Sequence, residues 1–141
     1  MALSDVFLER LEAVLKAGPP LRFAMLFGSV AAGTDRADSD VDIAIYPENS
    51  NLPLRDELAL QTELARVCGR QVDLVRLDHA PTLVRWQVIR HGRVIVERAP
   101  FAAARFIAGS IAEYLDFAPA LEHATEAFRR VLASEGRNPV S

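Results

Sequence analysis

Seven polar or glycine positions have the types and spacing to do chemistry: Gly28, Ser29, Thr34, Ser39, Asp40, Asp42 and Asp73. Gly28 and Ser29 close a mostly apolar run, residues 22–27, that reads as a buried strand. Gly28 lets the backbone turn sharply and come close to a ligand that a Cβ would obstruct. Ser29 brings a hydroxyl and a backbone N–H to the start of one helical turn, a place that favours phosphate oxygens. Asp40 and Asp42 lie two apart at the head of a second strand, residues 41–46, which Pro47 ends. Their carboxylates therefore leave the same face.

Four carboxylates, Asp35, Asp38, Asp40 and Asp42, crowd into eight residues with only Arg36 among them. Two acids forced onto one face repel and partly protonate unless a cation sits between them. Oxygen ligands with no Cys or His nearby point to magnesium or manganese rather than zinc. A divalent ion beside a phosphate-receptive turn is the layout of a nucleotidyl-transfer site. Capping by Asp38 or Asp40, with Asp42 on a solvated edge, is the plainer account, and either motif alone would favour it. The polar loop 33–39 lies over this site, with Thr34 and Ser39 as candidates for nucleotide contact; ordinary turn chemistry explains each as well.

The order of the pieces is more specific than either piece. A strand, Gly28-Ser29, ten residues and then Asp40-Val41-Asp42 on a strand resembles the signature of the polymerase-beta-like nucleotidyltransferase superfamily. It is most similar to the minimal, single-domain MNT branch, which includes antitoxins paired with HEPN-type toxins. That resemblance covers nearly the whole chain. It implies an α/β (α+β) nucleotidyltransferase fold: a small mixed β-sheet flanked by helices, with a C-terminal helical extension. It implies two magnesium ions on Asp40, Asp42 and Asp73, and ATP as substrate with Gly28 and Ser29 at its phosphates. It also implies a HEPN ribonuclease toxin as partner, silenced by transfer of AMP to a tyrosine. A small-molecule adenylyltransferase and an antitoxin that masks its partner without chemistry are the alternatives. Many relatives carry Arg or Gln where Ala32 stands; Arg36, Arg85 and Arg90 are the cations available to substitute.

Asp73 sits in the run 71–77, where Val72 and Leu74 face one way and Asp73 and Val75 the other. An acid there occupies a position that a buried sheet gives to a hydrophobe, and burial without a partner is expensive. The resemblance implies a third metal-binding carboxylate from a neighbouring strand at this position. An edge-strand surface acid is the plainer account.

The whole chain, 141 residues with half of them hydrophobic and a quarter charged, fits one soluble globular domain. A net charge of −3 argues against direct nucleic-acid binding. Lys16 is the only lysine and no Gly-Lys-Ser/Thr occurs, which excludes a P-loop. Cys68 is the single cysteine, so no intrachain disulfide forms; it reads as a buried structural thiol in a reducing compartment. The N-terminus lacks a basic signal-peptide start and no apolar run reaches membrane-spanning length, so a cytoplasmic protein away from membranes is expected. His79, His91 and His123 lack ligand spacing.

The positioning elements follow from periodicity. Ser4 caps a first helix whose apolar stripe is Phe7, Leu8, Leu11, Val14 and Leu15, stopped by Gly18-Pro19-Pro20. A helix from Pro53 to about Val67 is closed by Gly69, another spans about 81–91, and 93–97 is a short strand. Residues 1–98 form the nucleotidyltransferase core. Residues 99–134 form a helical extension packed on it, with Phe117, Leu121 and Phe128 available to a partner, and 135–141 a frayed tail. Pro119 is expected to kink or split that helix.

Overall fold

The computed structural model describes residues 4–36 and 38–137. In chain order they form α1 (Asp5–Ala17), β1 (Leu21–Phe27), α2 (Gly28–Ala32), β2 (Val41–Pro47), α3 (Leu54–Cys68), β3 (Val72–Arg76), α4 (Thr82–His91), β4 (Arg93–Glu97) and α5 (Ala102–Arg137). The sheet order is β3-β2-β1-β4. β1 runs antiparallel to both β2 and β4, whereas β2 and β3 are parallel. A parallel neighbour needs a crossover, and α3 supplies it.

Composition places the strands. β1 and β2 are apolar on both faces and occupy the centre, where Ala24, Leu26, Ile43 and Ile45 are buried on one side and Phe23, Met25 and Ala44 on the other. α1 and α3 cover the first side with Leu11, Leu15, Leu60 and Leu64; truncating a fully buried leucine such as Leu64 to alanine costs about 2–5 kcal/mol. α4 and the start of α5 cover the second with Val88 and Ala103.

Local signals set the helix ends. Ser4 Oγ accepts from the Phe7 N–H at 3.1 Å, and Gly69 ends α3 in the left-handed conformation at φ 65°. α5 is not split at Pro119. It runs through Pro119 as one helix of 36 residues, roughly 54 Å at 1.5 Å per residue. Good helix formers on both sides of the proline, Ala118, Ala120, Leu121 and Glu122, carry the backbone past the missing N–H. Its first third packs on the sheet and on α4, where Trp86 and Tyr114 stack with ring centroids 4.1 Å apart. Beyond that the helix is largely solvent-facing, with Phe128 63% exposed. Of the expected tail, residues 138–141 lie outside the described residues. No described helix is long and apolar enough to cross a membrane.

Candidate active site

The candidate residues gather at one end of the two central strands. β1 delivers Gly28 and Ser29 into α2, and β2 begins beside them because Phe27 pairs with Asp42 in the antiparallel ladder. β3 lies parallel on the far side of β2, and its register sets Asp73 directly opposite Asp42. Side chains alternate along a strand, so Asp42 and Asp73 share a face with Ala44, Val75 and Tyr46, the face that α4 and α5 partly cover.

Gly28 adopts φ +73°, a conformation that L side chains rarely take, and a Cβ there would collide with the Asp42 carboxylate. The turn and the acid are thus in contact. Phe27 is the N-cap of α2 and no side chain caps it, so Ser29 lies in a first turn with no side-chain acceptor on its N–H groups. Gly33 at φ 74° ends the turn, and the Thr34 N–H donates to Ser29 O at 3.0 Å.

The charge of the neighbouring acids bears on Asp42. Burial first, then the neighbouring Asp73 and Asp40 carboxylates, hold its carboxyl above the usual carboxylate range. Asp40 and Asp73 are exposed. Asp73 therefore differs from the buried acid that its sequence surroundings imply: β3 is an edge strand, and the face beyond Asp42 opens to solvent there. Among the described residues no three acidic, histidine or cysteine side chains converge into a ligand group.

The loop 33–39 divides its candidates. Thr34 is exposed, and its side chain makes no hydrogen bond among the described residues. Ser39 is engaged: its hydroxyl accepts from the Arg36 N–H at 2.7 Å, and its own N–H donates to Arg36 O at 3.0 Å. The loop is also held from outside by Arg70, which pairs with Asp35 at 3.0 Å. Nothing in the sequence around either residue signals that pair. A concavity of about 430 Å³ between α1 and α3, lined by Ala13, Val14 and Leu60 among others, lies on the opposite face of the sheet from these acids.

Residues 9–101 match the family model for polymerase beta nucleotidyltransferases. The chain belongs to that family. This nucleotidyltransferase is similar to the protein adenylyltransferase MntA of Shewanella oneidensis, at 36% identity over 78 residues, 53% of each chain. It is also similar to the protein adenylyltransferase MntA of Aphanizomenon flos-aquae, at 31% identity over 88 residues, 56% of this chain and 59% of that one. The chain spans little more than half the length of these relatives in those matches. A solved toxin–antitoxin structure with AMP-PNP superposes with a TM-score of 0.69 at 25% identity, over 93% of this chain and 98% of that one.

The nucleotidyltransferase carries no cation at Ala32, on the exposed end of α2. Of the three arginines that could substitute, Arg85 is already spent: its Nε donates to Leu77 O at 3.1 Å, and the guanidinium lies 3.7 Å from Glu113. Arg36 and Arg90 are exposed and make no ion pair among the described residues.

Proposed function

We propose that this chain is a magnesium-dependent protein adenylyltransferase and the antitoxin of a toxin–antitoxin pair, transferring AMP from ATP to a tyrosine hydroxyl of a HEPN-type ribonuclease toxin. The observation that carries the chemistry is the register that sets Asp42 beside Asp73, with the Gly28–Ser29 turn against Asp42. The adenylyltransferase relatives and the AMP-PNP-bound toxin–antitoxin neighbour support the reaction and the biological role. The HEPN partner and its tyrosine rest on the resemblance to the MNT branch. A C-terminal helix with an exposed outer half is consistent with a protein partner.

The residues present fit divalent cations. A carboxyl kept above its usual range by burial and by two neighbouring acids is one whose ionised form a cation would restore. Asp40, Asp42 and Asp73 are assigned as the ligands, an all-oxygen set suited to magnesium or manganese. Bound there, such ions neutralise triphosphate charge and lower the pKa of the acceptor hydroxyl.

The chain's own residues do the rest. Gly28 leaves room for the triphosphate, and Ser29 donates hydrogen bonds to its terminal phosphates from the uncapped turn. Thr34, beside that turn, and Ser39, whose hydroxyl also accepts from the Arg36 N–H, are assigned to the nucleotide as well. Asp73, the more exposed acid of the facing pair, accepts the proton of the acceptor hydroxyl. The hydroxyl oxygen bonds to the α-phosphorus as the α–β bridging bond breaks and pyrophosphate leaves. Added negative charge on the toxin then impedes RNA at its cleavage site.

The test incubates the chain with ATP, magnesium and the toxin and reads intact mass. An AMP increment on the toxin that is lost in Asp40→Asn and in Asp42→Asn supports the proposal. Toxin neutralised by those variants at equal expression, with no mass change, sinks it in favour of masking.

A further inference from the structure

One ion pair outside the proposed chemistry ties its parts together. Arg70 lies between α3 and β3, three residues before Asp73. Its Nη1 donates to Asp35 Oδ2 at 3.0 Å and its Nη2 to the carbonyl of Arg36 at 2.9 Å. Both partners belong to the loop that leads from Ser29 to Asp40. The Asp35 side chain is only 5% exposed and that of Arg70 18%. The hydrogen bond from Arg70 holds the Asp35 carboxyl below the usual carboxylate range. The next residue continues the link, since Gln71 O accepts from the Val41 N–H at 2.9 Å.

We infer that Arg70 is a positioning residue for the transfer site, a two-point clamp that fixes the loop carrying Asp40 relative to the strand carrying Asp73. This rests on the adenylyltransferase reading above. The physical need is plain from the loop's composition. Asp35, Asp38, Asp40 and Asp42 repel one another, and Arg36 is exposed and makes no ion pair among the described residues. A loop of that charge has no local reason to settle with Asp40 next to Asp42. Arg70 removes one negative charge from the set by burying it in a pair. Its planar fork then grips a second point, the Arg36 carbonyl, so the loop can neither slide nor pivot. The inner hydrogen bonds between Arg36 and Ser39 close the loop upon that anchor. Lysine, a point charge, would keep the ion pair but lose the simultaneous grip on the carbonyl.

The experiment compares Arg70→Met, Arg70→Lys and Asp35→Asn in the full chain. Three readouts are taken: steady-state AMP transfer to the toxin, thermal unfolding, and amide hydrogen exchange of residues 33–41. Displacement of a positioned group by about 1 Å costs about 10²-fold in rate, so Arg70→Met and Asp35→Asn should lose roughly 10- to 100-fold in kcat/KM. KM for magnesium-ATP should rise and the loop amides should lose protection, with far-UV circular dichroism unchanged. Arg70→Lys should recover part of both. A purely structural pair would lower Tm yet leave KM and the rate per folded molecule at the wild-type values, and that result overturns the proposal. Should Arg70→Met fail to fold, Arg70→Lys and Asp35→Asn decide it in the same way. Wild-type chain that transfers no AMP refutes the functional reading alone, because loop protection still reports the clamp without turnover.

Discussion

A Cβ on Gly28 would run into Oδ2 of Asp42, so the Gly28–Ser29 turn and the half-buried acid share a space that only glycine leaves open. Gly28→Ala must therefore either push the Asp42 carboxylate aside or flatten the turn. The positive φ of +73° adds strain of about 1–2 kcal/mol for any L side chain. The expected result is a folded protein, a few degrees less stable, with AMP transfer reduced about 10²-fold. Intact-mass kinetics alongside circular dichroism check it. A wild-type rate in the alanine variant would mean that the turn does not approach the phosphates.

Asp42 sets stability against function. An acid whose folded-state carboxyl lies above its usual range binds protons more readily folded than unfolded. Its contribution therefore falls as pH rises from the ordinary carboxylate range through the raised folded value. Above that raised value the ionised acid opposes folding, so Asp42→Asn should then raise the Tm of the metal-free protein by roughly 1–4 °C. Added magnesium should stabilise the wild type by mass action and leave Asp42→Asn unmoved. Melting curves with and without magnesium decide this, and equal metal response in the two proteins counts against Asp42 as a ligand.

The sequence carried the two motifs because each broke a local pattern: a glycine ending an apolar strand, and acids where a strand begins. The four strands and the helix ends at Ser4, Gly18 and Gly69 were legible for the same reason, since caps and periodicity are local. Asp73 was legible as an acid in an apolar run, but the sequence left a buried ligand and an edge-strand surface acid both open. Whether a strand is central or at an edge is decided by sheet order, which local pattern does not encode. The Arg70–Asp35 pair spans 35 residues and leaves no periodic trace. The turn bond that Ser39 makes to the Arg36 N–H was not legible either, because serine serves turns and phosphates alike.

Cys68 is expected to be inert. It is partly buried against the α1–α3 core, and burial pushes its thiol above the usual range. Thiolate, the reactive form, is thus scarce at neutral pH. Folded protein should react with an aromatic disulfide reagent at least about tenfold more slowly than urea-unfolded protein. Cys68→Ala should cost about 1 kcal/mol and leave AMP transfer unchanged. Rapid labelling of the folded chain would contradict the observed packing.

Pro119 weakens the outer half of α5. Lacking an N–H, it cannot donate to the carbonyl of Leu115 four residues earlier, and its ring crowds that carbonyl. Proline inside a helix is about 3 kcal/mol less favourable than alanine. Residues beyond it gain little from tertiary packing, since Phe128, Val131 and Leu132 are 63%, 55% and 51% exposed. Helix stability there depends on backbone propensity, and opening this segment need not disturb the sheet. Pro119→Ala should therefore slow amide exchange in residues 120–134 by up to about 10²-fold, the equivalent of about 3 kcal/mol. The main thermal transition, set by the β1–β2 core, should move by less than about 2 °C. Exchange of peptides from this segment, followed by mass spectrometry, measures it directly. Unchanged protection would show that Pro119 sits in the helix without weakening it.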